Sequence, residues 1–189
     1  MLTSPRLRLR AWRDDDLPAF AALNADPAVM KYFPKCLSRE ESDASATRIR
    51  DGFARHGFGW WAVEVFGVSD FIGFTGISVP PYETHFTPCV EISWRLDRKF
   101  WGFGYATEAA RLALDYGFEV AGLEEIVSFT FVGNLRSRKV MERLGMTYSP
   151  EDDFAHPRLA PDHPLRPHVL YRIDRAAWER GGGKAGGER

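Results

Sequence analysis

The chain has 189 residues, 44% hydrophobic and 27% charged, enough apolar material for one core that needs no disulfide or metal staple. Its 25 Lys and Arg against 26 Asp and Glu leave a net charge of −1, and the basic residues are dispersed, which argues against a dedicated nucleic-acid binder. The only two cysteines, Cys36 and Cys89, sit in unrelated surroundings, so neither a zinc cluster nor a disulfide framework is expected and both read as buried free thiols.

Arg6 to Trp12 alternate Leu7, Leu9 and Ala11 with Arg6, Arg8 and Arg10, the period of two of a strand with one buried face. Asp14, Asp15 and Asp16 then precede Leu17, Phe20, Ala21 and Leu23 at helical spacing, and acids suit a helix N-terminus. Ser38 with Glu41 three residues on is a capping box, which opens a second helix running to about Arg55 before Gly57 and Gly59. Trp60 to Phe66 and Phe71 to Ser78 read as antiparallel strands joined by the short Gly67-Val68-Ser69-Asp70 connection.

After a Pro-rich loop from Pro80 to Pro88, Cys89 to Leu96 read as a strand, and a glycine-bearing turn leads into a helix from Tyr105 to Glu119. Ala106, Ala109, Ala110, Ala113 and Gly117 give that helix a small-residue face for close packing. Glu125 to Phe131 follow as a strand, Leu135 to Leu144 as a helix closed by Gly145, and Met146 to Tyr148 as the start of another strand. A polar stretch from Pro150 to Pro167 delays the last strand, His168 to Ile173, which leads into one helical turn from Arg175 to Glu179. Residues 1–180 are expected to form one domain with a mixed α/β sheet, and 181–189 a disordered tail. No stretch approaches ~20 apolar residues and residues 1–10 carry no secretory apolar run, so no membrane partner and a cytoplasmic location are expected.

The chemistry concentrates between Glu91 and Glu108. There a strand runs through Gly102 and Gly104 into a helix, whose first N–H groups have no intrahelical acceptor and suit a pyrophosphate. A Walker A loop requires G-x-x-x-x-G-K-[ST], which is absent. Gly102-x-Gly104-x-x-Thr107 approaches the dinucleotide fingerprint, but Glu124 and Glu125 stand before their strand and not at the end of a second one. A tight turn with no ligand is the plain alternative.

Lys99-Phe100-Trp101-Gly102-Phe103-Gly104 resembles the R/Q-x-x-G-x-G/A pyrophosphate loop of the GNAT N-acetyltransferase superfamily, with Lys at the first position. Trp101 to Ala109 is similar to the W-G-x-G-Y-A-T-E-A run of the branch that includes ribosomal-protein N-terminal acetyltransferases, and Asn134 to Ser137 with Leu144-Gly145-Met146 to its N-x-x-S…L-G-F segment. With Leu7-x-Leu9-x-x-Trp12 the resemblance spans residues 6 to 149. It implies a GNAT fold: one domain, a mixed and mostly antiparallel central sheet splayed at the cofactor site, and helices on both faces.

The resemblance further implies acetyl-CoA as cosubstrate and no metal. Its pyrophosphate would lie on Lys99, Gly102, Phe103, Gly104, Tyr105, Ala106 and Thr107, and its pantetheine arm beside Trp94, Arg95 and Leu96. An amine attacking a thioester needs an oxyanion donor, a proton acceptor and a way to release the thiolate. Main-chain N–H groups near Trp94 to Leu96 are the candidate oxyanion donors. Glu91, on one strand face with Ser93 and Arg95, is the candidate base, with a salt bridge to an arginine as its alternative. Ser137 is a candidate acid or cofactor contact, or a polar helix residue; Asn134 is a cofactor contact, a helix cap, or both.

His85, His156, His163 and His168 receive no role, and Tyr32, Phe33 and residues 153–167 flank the acceptor side. The expected partner is an amine-bearing acceptor, a peptide N-terminus or a small molecule, used by a monomer or homodimer. A non-catalytic coenzyme A sensor and a nicotinamide-dependent oxidoreductase are the competing classes.

Overall fold

The computed structural model describes residues 1–182. The opening alternation forms a strand, β2 (Leu7–Arg10), against which β1 (Leu2–Thr3) folds back antiparallel. Arg10, 5% exposed, bonds Asp16 at 2.7 Å and Glu64 at 3.1 Å, so Asp16 is a buried counter-ion as well as a helix-start acid. That pair fixes the entry to α1 (Leu17–Ala25). Helix α2 (Arg39–His56) starts on the expected capping box, Ser38 accepting from the Glu41 N–H, and ends at Gly57 with φ +73°.

β3 (Trp60–Val65) and β4 (Ser69–Ser78) form the hairpin, and β5 (Glu91–Leu96) pairs with β4. Helix α3 (Tyr105–Asp115) leads through a wider π turn at Tyr116–Val120 to β6 (Glu125–Phe131), and α4 (Leu135–Arg143) to β7 (Thr147–Tyr148). The chain closes with β8 (Phe154–Ala155), β9 (Pro167–Asp174) and α5 (Arg175–Arg180).

Among the described residues the strands form one sheet, ordered β1-β2-β3-β4-β5-β6-β9-β7 with β8 also on β9. Every neighbouring pair is antiparallel except β5–β6, which is parallel and touches in register only at Glu91 and Val127. From there the two strands diverge: the expected splay.

Helices cover both faces. Ala109, Ala110 and Ala113 are fully buried against Leu7, Leu9, Ile72 and Ile92 on the α3 face. Even a methyl at Gly117 would come within 2.6 Å of Ile126, so the small-residue face is a packing requirement. On the opposite face Phe20, Leu23, Ala46 and Ile49 of α1 and α2 pack on Ala62 and Phe74. A third cluster, Phe86, Val127 and Leu170, seals the Pro-rich loop onto β6 and β9 on that same face.

Several expectations need correction. β1 was not expected, since two residues carry no readable period. The first strand is shorter than 6–12, the strand expected over 89–96 begins at Glu91, and α3 changes its winding at Tyr116 instead of running to Glu119. Residues 150–167 are not a bare loop: a helical turn (Pro150–Asp152) and β8 lie within them. Cys36 is exposed, because it sits on the polar connection ahead of α2, and Cys89 is half-buried. Gly181 and Gly182 close α5 through N–H bonds to Ala177 and Glu179 at 3.0 and 3.3 Å; the rest of the expected tail lies outside the described residues.

Candidate active site

Gly102 and Gly104 have φ of +87° and +83°, a region that costs any residue with a Cβ, and Gly104 opens α3 with no side-chain cap. The preceding turn, Arg98–Phe100, uses its own N–H groups locally: Phe100 donates to Asp97 and Trp101 to Arg98. From Glu108 the helix ladder takes over, its N–H bonded to the Gly104 carbonyl. Between them, the six main-chain N–H groups of Gly102 to Thr107 have no hydrogen-bond acceptor among the described residues. Unpaired, positive-end donors of this kind form an anion site. Lys99 is exposed beside them.

The loop is braced from outside. Arg6 donates to the Phe103 carbonyl at 3.1 Å and to Glu108, which also accepts from Ser4 at 2.7 Å. On its other flank the Arg136 guanidinium lies 4.4 Å from the Trp101 ring, linking α4 to the loop.

Hydrogen-bond alternation along β5 decides which amides face the gap. The Asp97 N–H donates to the Ile72 carbonyl at 2.8 Å, so Arg95, Ser93 and Glu91, at even steps from Asp97, bond to β4. Trp94 and Leu96 therefore turn their N–H groups toward β6, which has already diverged. The Leu96 carbonyl is taken by the Trp101 indole at 2.8 Å, leaving the Trp94 N–H and C=O and the Leu96 N–H on the open edge. Arg95 parts from this group: its main chain pairs with Phe74 and its side chain lies on the opposite sheet face, bonded to Asn24 of α1 at 2.6 Å.

At the mouth of α4, Asn134 uses its carbonyl to accept the Ser137 N–H at 3.4 Å and its amide to donate to Thr130 at 2.9 Å, a helix cap in full. The Ser137 hydroxyl, half-buried, makes no hydrogen bond among the described residues.

Glu91 sits where β5 and β6 part, on the face covered by the Pro-rich loop. The salt bridge with an arginine does not form: its carboxylate has no ion-pair or hydrogen-bond partner among the described residues. Burial without compensation pushes its carboxyl up to about 8. Their own burial, and after it the charge of Glu91, raises the neighbouring Cys89 thiol to about 11 and also raises the Tyr82 hydroxyl. Across the gap Tyr32 stacks on Phe131 at 5.8 Å, so the loop after α1 reaches from one sheet half to the other. An aromatic cluster follows, in which His156 and His168 lie 4.8 Å apart and Tyr82 meets Phe129 at 6.3 Å. Burial lowers His168 to about 4 and His156 below its ordinary value.

The fold thus brings the glycine turn, the β5 edge, Asn134 and Ser137 to one end of the gap, and Glu91 to its apex. Sequence reading missed Arg6, Asn24 and Tyr82. Arg6 passed for one of three solvent-facing arginines of a strand, and nothing in the sequence links it to Glu108. No group of three or more His, Cys, Asp or Glu side chains suited to a metal is found among the described residues, and no helix there is long and apolar enough to cross a membrane.

Residues 6–147 match the acetyltransferase (GNAT) domain family. The Bacillus subtilis protein YkkB is 32% identical over 149 residues, covering 78% of this chain and 86% of that one. FsC-acetyl coenzyme A-N(2)-transacetylase of Aspergillus fumigatus is 33% identical over 165 residues, covering 84% and 69%. An acetyltransferase structure from Agrobacterium tumefaciens superposes with a TM-score of 0.75 at 27% identity, covering 92% of this chain and 94% of that one. A gap opened beside a glycine turn, a family match across most of the chain and relatives that align along most of their own length lead to one conclusion: the chain belongs to the GNAT family of acetyltransferases.

Proposed function

We propose that the protein binds acetyl-CoA along the β5–β6 gap and transfers its acetyl group directly to a primary amine, a peptide N-terminus or a small molecule. The observation that carries this is the run of six unpaired N–H groups, Gly102 to Thr107, beside the open edge of β5. The naming of the Aspergillus relative as an acetyl coenzyme A transacetylase supports the same cosubstrate. Acetyl-CoA would supply an activated thioester. Gly102 to Thr107 and Lys99 suit its pyrophosphate, and the Trp94 carbonyl and Leu96 N–H suit an extended amide-bearing arm. The Trp94 N–H is then the candidate oxyanion donor, already fixed in the sheet.

Glu91 takes the amine proton, directly or through water; a carboxyl near 8 has enough basicity to accept it and is partly ionised at neutral pH. An α-amine, about a fifth neutral at pH 7.4, asks less of this base than a lysine amine, about a thousandth neutral. Ser137, with its hydroxyl uncommitted, is the candidate donor to the departing thiolate. The helix cap leaves Asn134 a positioning residue for α4, with any cofactor contact made around that cap.

Titration calorimetry with acetyl-CoA, followed by coenzyme A release across a panel of amines for wild type and Glu91→Gln, tests the proposal. Acetyl-CoA binding without an amine, coenzyme A release that requires one, and loss of that release in Glu91→Gln are expected. Absence of acetyl-CoA binding overturns it, and binding with no amine-dependent release favours a sensor.

A further inference from the structure

Arg95 is a cation that the fold has largely desolvated and left without an anion. It faces the acceptor side of β5, the side that carries Glu91. Its Nη1 donates to the Asn24 carbonyl oxygen at 2.6 Å, and the Asn24 amide is itself spent on Ser42 at 2.9 Å. The guanidinium carbon lies 4.0 Å from the centre of the Phe33 ring and 5.4 Å from that of Phe74. All these partners are neutral. No carboxylate comes within 4.0 Å of Arg95 among the described residues, and its Nε is fully buried with no acceptor. Burial alone lowers its pKa, to about 10.

A lone buried cation and an unmet N–H are each costly, and a structural arginine in such a place is ordinarily paired. Glu91, four residues earlier on the same face, does not supply the pair: no ion pair or hydrogen bond joins the two. With Nη1 held by Asn24, the guanidinium edge made of Nε and Nη2 remains. Two parallel donors on a planar edge match a carboxylate.

We infer that the acceptor is an amine that also bears a carboxylate, which Arg95 grips through its Nε–Nη2 edge while the amine meets Glu91. The inference rests on the acetyl-transfer reading of this cleft and names its substrate class. Phe33, exposed on the loop that bridges the gap, stacks over the face of the guanidinium and leaves its planar edge uncommitted. Tyr32, stacked on Phe131, holds the same loop against the other half of the sheet.

The test uses the full-length protein and acetyl-CoA with ω-amino acids from glycine to 6-aminohexanoate, each against its carboxamide, rates being compared per neutral amine. For at least one spacing, kcat/KM is expected to be at least tenfold higher for the acid than for the amide. Arg95→Met is expected to bring that ratio within twofold of unity while leaving the KM for acetyl-CoA unchanged. Equal use of acids and amides by wild type, no use of any acid, or a preference that survives Arg95→Met overturns the inference. So does a rise confined to the KM for acetyl-CoA, which would put Arg95 on the cofactor. If Arg95→Met does not fold, the wild-type ratio decides alone, with Arg95→Lys as the folded comparison. Absence of acetyl-CoA binding in calorimetry would bring down the underlying reading and this inference with it.

Discussion

Arg6, just before β2, and Glu108, in the first turn of α3, are joined by a hydrogen bond of 2.7 Å, and the same guanidinium holds the Phe103 carbonyl at 3.1 Å. One side chain thus ties the sheet edge to both sides of Gly104. The bridge is half-exposed, so its own contribution to stability is small, about 1 kcal/mol or less. Its effect is on loop order. Arg6→Ala is expected to leave the melting temperature nearly unchanged while raising the KM for acetyl-CoA about three- to tenfold with little change in kcat. Steady-state kinetics with a saturating amine would check this; a fall in kcat alone would contradict it.

Gly104→Val places a branched residue at a φ of +83°, where its Cβ also comes within 3.6 Å of Arg6 Nη2. The backbone penalty is about 1–3 kcal/mol, small enough for the fold to survive. The turn instead relaxes, and the N–H groups lose their common direction. A KM for acetyl-CoA at least tenfold higher is expected, and an unchanged KM would count against the loop assignment.

Glu91→Gln removes the proposed base. A drop of about 100-fold in kcat/KM is expected, and the wild-type profile per neutral amine, rising with pH through about 8, should flatten in the variant. Stability moves the other way. Because the folded carboxyl titrates near 8, above its ordinary 4.5, the stability it contributes is complete below pH 4.5 and is lost as pH rises through 8. Glu91→Gln should therefore match wild type at pH 4 and exceed it at pH 9, by up to about 5 kcal/mol. Thermal melts at the two pH values measure the difference.

His168 is held neutral among Phe129, Phe154 and His156, its ring nitrogen bonded to the Arg166 carbonyl at 3.1 Å. A folded value near 4 against the ordinary 6.5 means that the unfolded chain binds the extra proton first. The stability involved is present above pH 6.5 and is lost as pH falls toward 4, by about 2–3 kcal/mol. His168→Phe should flatten that acid limb in a denaturant series at pH 4 to 7, and a parallel loss in both proteins would exclude this histidine.

The parts legible in the sequence are those written in local period and spacing. Leu7 and Leu9 announced a strand, Ser38 and Glu41 a helix start, and Gly102 with Gly104 a turn that only glycine enters cheaply. The splay was legible only through family resemblance, because the parting of β5 from β6 depends on where two strands far apart in the chain stop sharing hydrogen bonds. Arg95 shows the limit most clearly. Its place on β5 put it beside the cofactor arm in the sequence, whereas hydrogen-bond parity turns its backbone to β4 and its head to Asn24. Cys36 misled because small apolar residues are usually buried, and only the tertiary course of its loop exposes it.

The single rung between Glu91 and Val127 divides the sheet into halves that are each continuous along the chain: β1 to β5 within residues 2–96, and β6 to β9 within 125–174. Across that seam lies very little ladder, so what registers one lobe against the other is chiefly the stacking of side chains and helices. A molecule laid along the seam and bonded to both borders would act as a rivet. Its arrival should slow amide exchange cooperatively in Trp94 and Phe129 alike, on opposite banks, and its departure would return the lobes to independent breathing.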